Sequence, residues 1–152
     1  MSNNIKISKT PSENQDFIAL ISALDKSLWE RYPELKSDYW GNNILELNPN
    51  VVIIHLENKA VACGCFKKYD KNSIEIKRMF VSPEARGMGL AQTILQELER
   101  WAQDLGYSMS VLETLYKQKE AIALYHKAGY LIIDNYKPYV GLENSICMQK
   151  QI

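Results

Sequence analysis

Hydrophobic residues recur at intervals of three and four in two long segments of the chain, as on one face of an amphipathic helix. The first segment follows Ser12 and Gln15, which resemble a capping box, and stops at Pro33. The second ends at Gly106, a natural residue for the position after a helix. The two stripes consist of Phe17, Leu20, Ile21, Leu24 and Leu28, and of Leu90, Ile94, Leu98, Trp101 and Leu105. Two amphipathic helices are therefore predicted.

Other segments predict a shorter helix and several strands. The shorter helix covers 118–127, and the irregular pattern after Pro33 leaves another around 37–45 open. Runs rich in β-branched and aromatic residues predict strands over 51–56, 60–67, 74–81, 108–114, 130–134 and 145–150. Short turns join the first three of these strands, which indicates antiparallel pairing. The fourth follows the second long helix, which indicates a parallel, right-handed βαβ crossover.

The strand over 74–81 breaks its own alternation. Ile74 and Ile76 point to one face of a regular strand, whereas Met79 and Val81 point to the other. One extra residue near Lys77 or Arg78 would bring both sets to the same face, as a β-bulge does. Because bulges re-aim side chains and end strand pairing, often beside functional sites, this strand is a candidate for function.

Composition narrows the class of protein. The 152 residues suit one domain over 1–152, and 18 basic residues balance 18 acidic ones. A pI of about 6.7 provides no strong field for nucleic acid or for an anionic membrane, so neither is expected as a partner. No apolar run is long enough to span a membrane, and the polar start resembles no signal peptide. A cytoplasmic protein is expected.

The cysteines and histidines give no reason to expect a metal. Cys63, Cys65 and Cys147 lie in predicted strands, where small buried hydrophobic residues are the simplest interpretation. His55 and His126 stand at no zinc-ligand spacing from them. No metal site is predicted.

A cluster of small residues, Arg86-Gly87-Met88-Gly89-Leu90-Ala91, lies between a predicted strand and the second long helix. Such a turn presents free backbone N–H groups and the positive end of a helix dipole, which together favour an anion. Small residues also serve turns and close packing, so this second interpretation stays open. The usual nucleotide fingerprints are absent, since Gln92 replaces the third glycine of G-x-G-x-x-G.

Two segments, 75–91 and 120–130, closely resemble the central motif and a later helix-turn-strand motif of the GNAT superfamily, the Gcn5-related N-acetyltransferases. They occur in the family's order and at its separation. The resemblance implies an α/β fold, namely a central mixed β-sheet with helices on both faces and a splayed pair of parallel central strands. It also implies transfer of an acetyl group from acetyl-CoA to an amine, in a ternary complex and without a covalent acyl-enzyme.

The resemblance also implies which residues hold acetyl-CoA. Backbone amides of the small-residue cluster would bind the pyrophosphate, namely those of Gly87, Met88, Gly89, Leu90 and Ala91. Arg86 would add a charge-assisted bond, unless it is simply an exposed turn residue. The pantetheine arm would pair with the strand at Met79, Phe80 and Val81. Gln118 stands where relatives often place an asparagine that binds the cofactor, and the longer amide departs from that pattern.

Three residues carry the implied chemistry. Glu75 matches an acidic position often used as the base, with Glu113 in reserve; the alternative is a solvated glutamate on a strand face. Tyr125 occupies the position of the family's general-acid tyrosine, and the alternative is a packing aromatic. A phenol protonates a thiolate well only if the local field assists it, although an unshifted hydroxyl still donates a hydrogen bond.

The acceptor pocket is the least readable part of the sequence. In this fold the first helices and the last loop usually line it, which points to aromatic residues that serve equally well in packing. They are Trp29, Tyr32, Tyr39 and Trp40 on one side and Tyr136 and Tyr139 on the other. The expected partner is a small-molecule or peptide amine, and a homodimer is left open. A non-catalytic acyl-CoA-binding or sensing module is the alternative function.

Overall fold

The computed structural model describes residues 4–36 and 50–152, and its described strands form one seven-stranded mixed sheet in the order β1-β2-β3-β4-β5-β7-β6. The strands are β1 (Ile5–Thr10), β2 (Asn50–Leu56), β3 (Lys59–Lys68), β4 (Ser73–Val81), β5 (Met109–Leu115), β6 (Leu131–Ile133) and β7 (Ser145–Gln151). The described α-helices are α1 (Gln15–Arg31), α2 (Leu90–Asp104) and α3 (Lys119–Lys127). The predicted mixed α/β fold is confirmed. The helix left open around 37–45, with Tyr39 and Trp40, lies outside the described residues.

Contacts divide the chain into two compact units, which are taken in turn. The first comprises Met1–Phe66 and Arg78–Leu98, and the second comprises Lys67–Lys77 and Glu99–Ile152. That the whole of 1–152 acts as one domain stays a prediction. No helix within 4–36 and 50–152 is long and apolar enough to cross a membrane.

The core of the first unit forms around α1. The predicted stripe is buried as expected, because Phe17, Leu20 and Leu24 pack in one cluster with residues of β2, β3 and β4. The predicted cap is wrong: Asn14, not Ser12, begins the helix, and its Oδ1 accepts hydrogen bonds from the backbone N–H groups of Asp16 and Phe17. A short polar side chain at either position would satisfy the same orphan donors, so composition alone could not choose between them.

The short turn predicted between β2 and β3 is confirmed. Its two-residue loop consists of Glu57 and Asn58, with φ of 50° and 68°. Positive φ at both loop residues defines the type I′ turn, whose twist matches that of the paired strands. The pairing then places Val51 opposite Cys65 and Ile53 opposite Cys63. All three cysteines are free thiols and buried, as predicted.

Arg78 accounts for the broken alternation of β4. Its φ of 60° is left-handed, a rare conformation for a residue with a side chain and one found in β-bulges. Two contacts within the first unit hold it there, since Cys63 Sγ donates to its carbonyl oxygen and its own guanidinium donates to Asp25 of α1. The irregular residue predicted near position 77 or 78 is therefore Arg78.

Gly64 of β3 is a glycine for reasons of space. A Cβ built on it would lie 2.6 Å from both Ile94 Cγ2 and Met79 Sδ, and 3.1 Å from Leu98 Cδ1. These distances are far below van der Waals contact, so α2 approaches β3 more closely than any side chain at position 64 allows.

A Gly64→Ala variant should therefore lose about 1–3 kcal/mol of unfolding free energy, the usual cost of overpacking a closely packed core. Urea denaturation measures the loss directly. Gly141→Ala reports the separate cost of backbone strain, because Gly141 has open space around its Cβ position but a φ of 85°. Wild-type stability in Gly64→Ala would contradict the close packing described.

In the second unit, β5 pairs over its whole length with β7 but only in part with β4. The antiparallel ladder runs from Met109 opposite Gln151 to Leu115 opposite Ser145. The parallel ladder with β4 ends where Ile76 faces Leu112, although both strands continue beyond that point. Two parallel strands whose pairing stops early are what the predicted splayed pair requires.

Buried polar groups of the second unit form a connected network. The Tyr130 hydroxyl lies 2.8 Å from Ser110 Oγ and donates to Glu99 Oε2 at 2.9 Å. Lys150 Nζ donates to Glu99 Oε1 at 2.8 Å. The buried carboxylate of Glu99 is thereby paired on both oxygens, as burial of a charge demands.

Candidate active site

The small-residue cluster of the first unit forms an open turn before α2. Gly87 and Gly89 have φ of 84° and 76°, and a Cβ built on either would have no heavy atom within 4 Å. Glycine is therefore needed here for backbone conformation and not to avoid a clash inside the protein. The space in front of both residues is open to a ligand.

The start of α2 adds donors to this turn. Gly89 accepts hydrogen bonds at its carbonyl oxygen from Thr93 N and Thr93 Oγ1, both at 3.1 Å. The next N–H groups, those of Leu90, Ala91 and Gln92, belong to a first helical turn, which offers them no intrahelical acceptor. No acidic side chain occupies that turn. The geometry therefore suits an anion.

Several groups at the end of β4 already make contacts within the protein. Phe80 is buried in the core cluster around α1, and Met79 Sδ packs toward Gly64. Arg86 Nε donates to the carbonyl oxygen of Val81 at 3.2 Å, which fixes the exposed arginine beside the strand end. Phe80 is thus a core side chain, and the role of the Met79, Phe80 and Val81 backbone toward a cofactor stays a prediction.

Trp29 and Tyr32, predicted for the acceptor site, lie at the end of α1 and just beyond it. The Trp29 indole N–H is buried and has no hydrogen-bond acceptor among the described residues. The Tyr32 ring lies under the Arg31 guanidinium, 5.4 Å from its carbon to the ring centroid. A buried donor without an acceptor is uncommon in folded proteins, which makes Trp29 the more informative of the two.

Glu75 of β4 belongs to the second unit, where it is 2% exposed. The Tyr136 hydroxyl donates to its Oε2 at 2.7 Å, and Lys67 Nζ lies 3.8 Å from its Oε1. The alternative of a solvated surface glutamate is therefore wrong. A buried carboxylate held by a hydroxyl and faced by an ammonium is a chemically specific arrangement.

Three tyrosine rings surround that carboxylate. Tyr136 makes edge-to-face contacts with Tyr69 at 4.9 Å and with Tyr139 at 5.5 Å between ring centroids. Burial raises the pKa of Tyr136 and of Tyr139 well above the usual range, and the Glu75 charge raises both further. The two phenols therefore stay protonated and act as hydrogen-bond donors.

Glu113 of β5, the reserve base, is a second carboxyl in this cluster. Ser145 Oγ donates to its Oε2 at 2.6 Å. Burial raises the pKa of Glu113 to about 7; the Glu75 charge adds to this, while the Ser145 hydrogen bond and the Lys77 charge oppose it. Near neutral pH this carboxyl is partly protonated, so it differs in charge from an ordinary glutamate.

Tyr125 of α3 is buried, and its ring lies edge-to-face with Tyr130 at 5.9 Å. Burial raises its pKa well above the usual range, and the Glu113 charge adds to the effect. The local field thus does not assist proton release, and hydrogen-bond donation is the more accessible role. Just before α3, Gln118 accepts a hydrogen bond at Oε1 from Thr114 at 3.0 Å, which orients its amide.

Comparison with known proteins concerns the chain as a whole. The sequence model of the acetyltransferase (GNAT) family matches residues 19–130. The chain belongs to the GNAT family. An IAA acetyltransferase of Azospirillum brasilense is 30% identical to it over 98% of this chain and 99% of its own length.

Solved structures agree with this assignment. A Klebsiella pneumoniae subsp. pneumoniae MGH 78578 protein described as an acyl-CoA N-acyltransferase has a TM-score of 0.80 at 30% identity and covers 97% of each chain. A GNAT family acetyltransferase from Elizabethkingia anophelis, solved with acetyl-CoA bound, has a TM-score of 0.70 at 17% identity and covers 99% of this chain and all of its own. The latter shows a shared fold. The predicted family and fold are confirmed.

Sequence reasoning missed three side chains that contact this cluster of carboxyls and tyrosines, namely Lys67, Tyr69 and Ser145. Lys67 and Tyr69 precede a tight turn, and Glu75 follows it. They lie near Glu75 because β3 and β4 are neighbouring strands. Ser145 reaches Glu113 diagonally, since the β5–β7 register places Glu113 opposite Cys147. Only Lys67 and Tyr69 had a signal in the sequence, namely the predicted hairpin that joins their strand to that of Glu75.

Within the described residues, no three His, Cys, Asp or Glu side chains are arranged to hold a metal ion.

Proposed function

We propose that this GNAT protein transfers the acetyl group of acetyl-CoA to a primary amine of a small molecule or peptide, by direct attack within a ternary complex. The observation that carries the proposal is the buried carboxylate of Glu75, held by the Tyr136 hydroxyl. Burying a charge costs free energy, and a module that only binds acyl-CoA has no use for it. An enzyme that must take a proton from an amine, in contrast, needs such a carboxylate.

Acetyl-CoA is the proposed cosubstrate. Family membership supports it, as does the acetyl-CoA bound to the Elizabethkingia relative. In this chain the turn at Gly87 and Gly89 and the first N–H groups of α2 would hold the pyrophosphate. The exposed guanidinium of Arg86 would add a charge-assisted bond. The backbone of Met79, Phe80 and Val81 would pair with the pantetheine arm.

The acceptor must lose a proton before it attacks. An alkyl ammonium has a pKa near 10, so almost all of it is charged at pH 7. Glu75 would accept that proton directly or through water, and Trp29, Tyr32, Tyr136 and Tyr139 would line the acceptor site. The nitrogen lone pair then forms the new bond to the thioester carbon, and the C–S bond breaks.

The leaving thiolate would receive a hydrogen bond from the Tyr125 hydroxyl. The raised pKa of this phenol favours stabilisation of the developing charge over early proton release. Because this phenol is a weaker acid than a thiol, Tyr125 would keep its proton as the C–S bond breaks, and the thiolate would leave as a hydrogen-bonded anion.

Transfer without a covalent acyl-enzyme fits the chemistry of Cys147. This cysteine lies opposite Glu113, in the same unit as Glu75. Burial raises its pKa to about 11, with smaller contributions that include the charges of Glu113 and Glu75. Since the thiolate is the nucleophilic form, Cys147 is a poor nucleophile at neutral pH.

The proposal is tested by measuring free thiol release from acetyl-CoA across a panel of primary amines and peptides with free amino groups. Transfer to at least one acceptor class is expected, with no acetyl group retained on the protein. Tight acetyl-CoA binding without any acceptor would instead support a sensing module.

A Gly89→Ala variant should weaken acetyl-CoA binding about tenfold, roughly 1.4 kcal/mol, while amine KM changes little. Its Cβ would enter the open space before α2 at a φ of 76° that disfavours a side chain. Calorimetric titration with coenzyme A measures the effect. Gly106→Ala is a matched control, because Gly106 also has positive φ and open space. Equal losses of coenzyme A affinity in both variants would show that the turn at Gly87 and Gly89 does not bind the cofactor.

A further inference from the structure

The side-chain amide of Asn135 ties together the loop between β6 and β7. Asn135 Nδ2 donates to the carbonyl oxygens of Tyr139 and Leu142, each at 3.2 Å. Tyr139 N donates to the Tyr136 carbonyl oxygen at 2.7 Å, which closes a tight turn inside the loop. The backbone that carries Tyr136 is therefore held at several points.

The ring of Tyr136 is held on both sides as well. Tyr69 and Tyr139 make edge-to-face contacts with it, at interplanar angles of 69° and 81°. Edge-to-face packing has a preferred geometry, so these contacts restrict where the ring can place its hydroxyl. That hydroxyl donates to Glu75 Oε2 at 2.7 Å.

The charges around Glu75 make this hydrogen bond consequential. Lys67 is the cation near its other oxygen, at 3.8 Å. The other titratable groups that face the cluster are Lys77 of β4, Glu113 of β5, Cys147 of β7, and the phenols of Tyr69 and Tyr139. The Lys77 charge acts on Glu113, and none of the other four groups supplies positive charge. A buried carboxylate beside a second carboxyl is thus stabilised by its hydrogen-bond donor and by the nearby ammonium group of Lys67.

We propose that Tyr136 is a positioning residue for Glu75: its hydroxyl fixes Oε2 and stabilises, through its hydrogen bond, the carboxylate that accepts the proton of the acceptor amine. This inference rests on the proposed function. It assigns to Tyr136 a task carried out through Glu75, in addition to any contact with the acceptor.

A Tyr136→Phe variant tests the inference, because it removes the hydroxyl and keeps the ring. We expect kcat to fall about tenfold and the acidic limb of the pH–rate profile to move about one unit to higher pH, the scale of one hydrogen bond to a charged group. Acetyl-CoA affinity should not change. Tyr116→Phe is the control, since it removes a hydroxyl from an exposed tyrosine outside the cluster; its acidic limb should match the wild type.

A double-mutant cycle separates positioning from general structural damage. In a Glu75→Gln background, Tyr136→Phe should cause no further loss of kcat, because the group through which it acts is already gone. Additive losses would overturn the inference. If Tyr136→Phe does not fold, Asn135→Ala serves as the second variant, since it frees the loop and retains the hydroxyl; it should move the acidic limb in the same direction.

The outcomes also separate this inference from the proposed function. If Tyr136→Phe has the kcat and the acidic limb of the wild type, the inference is overturned. The proposed acetyl transfer is unaffected by that result. If no amine is acetylated by the wild type, the proposed function fails, and the ¹³C shift of the Glu75 carboxyl in the free protein decides the inference alone. A titration of that shift unchanged by Tyr136→Phe overturns it, and one moved to higher pH supports it.

Discussion

A Glu75→Gln variant should lose about 10²- to 10³-fold in kcat, within the range for removal of a general base. The amide is nearly isosteric with the carboxylate and still accepts a hydrogen bond from Tyr136, but it cannot take a proton. Steady-state rates with saturating amine, together with calorimetric binding of acetyl-CoA, measure the effect. The binding constant should remain close to that of the wild type.

The pH dependence gives this variant a second readout. If Glu75 is the base, the acidic limb of the wild-type profile disappears with it, and the residual rate follows the ionisation of the amine alone. Glu84→Gln is the matched control, because Glu84 is exposed and pairs with Lys59 in the first unit. A near-wild-type kcat in Glu75→Gln would indicate that Glu113 is the general base instead. A large loss of kcat in Glu113→Gln would establish that assignment.

A Tyr125→Phe variant should lose about 10²-fold in kcat, at the lower end of what a hydrogen-bond donor to a developing charge contributes. The ring and its contact with Tyr130 are retained, so the loss reports the hydroxyl and not the packing. Acetyl-CoA affinity should change little, because the hydroxyl is needed when charge develops on sulfur. Rates with saturating substrates, compared with calorimetric binding, separate the two effects.

Tyr116→Phe is the control for this second experiment, since Tyr116 follows β5 and is 44% exposed. It should retain wild-type kcat. An unchanged turnover in Tyr125→Phe would restrict Tyr125 to packing, which is the alternative that its burial also permits. A rise in KM for acetyl-CoA without a fall in kcat would indicate a binding role instead.

Local patterns in the sequence were sufficient for much of the fold. The stripe from Phe17 to Leu28 predicts α1 because side chains three and four residues apart share one helix face. The phase break in β4 located the left-handed residue, Arg78, for the same kind of reason: strand faces alternate with a period of two. The wrong cap at Ser12 shows where such reasoning weakens, since several short polar residues can serve as caps.

The candidate site was predicted unevenly. The glycine turn before α2 is a local feature, and its positive φ angles follow from its own residues. Glu75 was identified through a family motif. The sequence left two interpretations of it open, a solvated glutamate on a strand face and a catalytic base. That choice depends on burial, which no spacing along β4 reveals.

The sequence by itself determined most of the elements, their approximate limits, the glycine turn before α2 and the family. These depend on contacts between residues close in the chain, whose side-chain periods and turn preferences are visible as spacing. Only the tertiary structure decided the protonation chemistry. Tyr136 reaches Glu75 across 61 positions and Ser145 reaches Glu113 across 32. Because desolvation and hydrogen bonding set the charge of a buried group, the states of these carboxyls follow from packing between distant strands and loops.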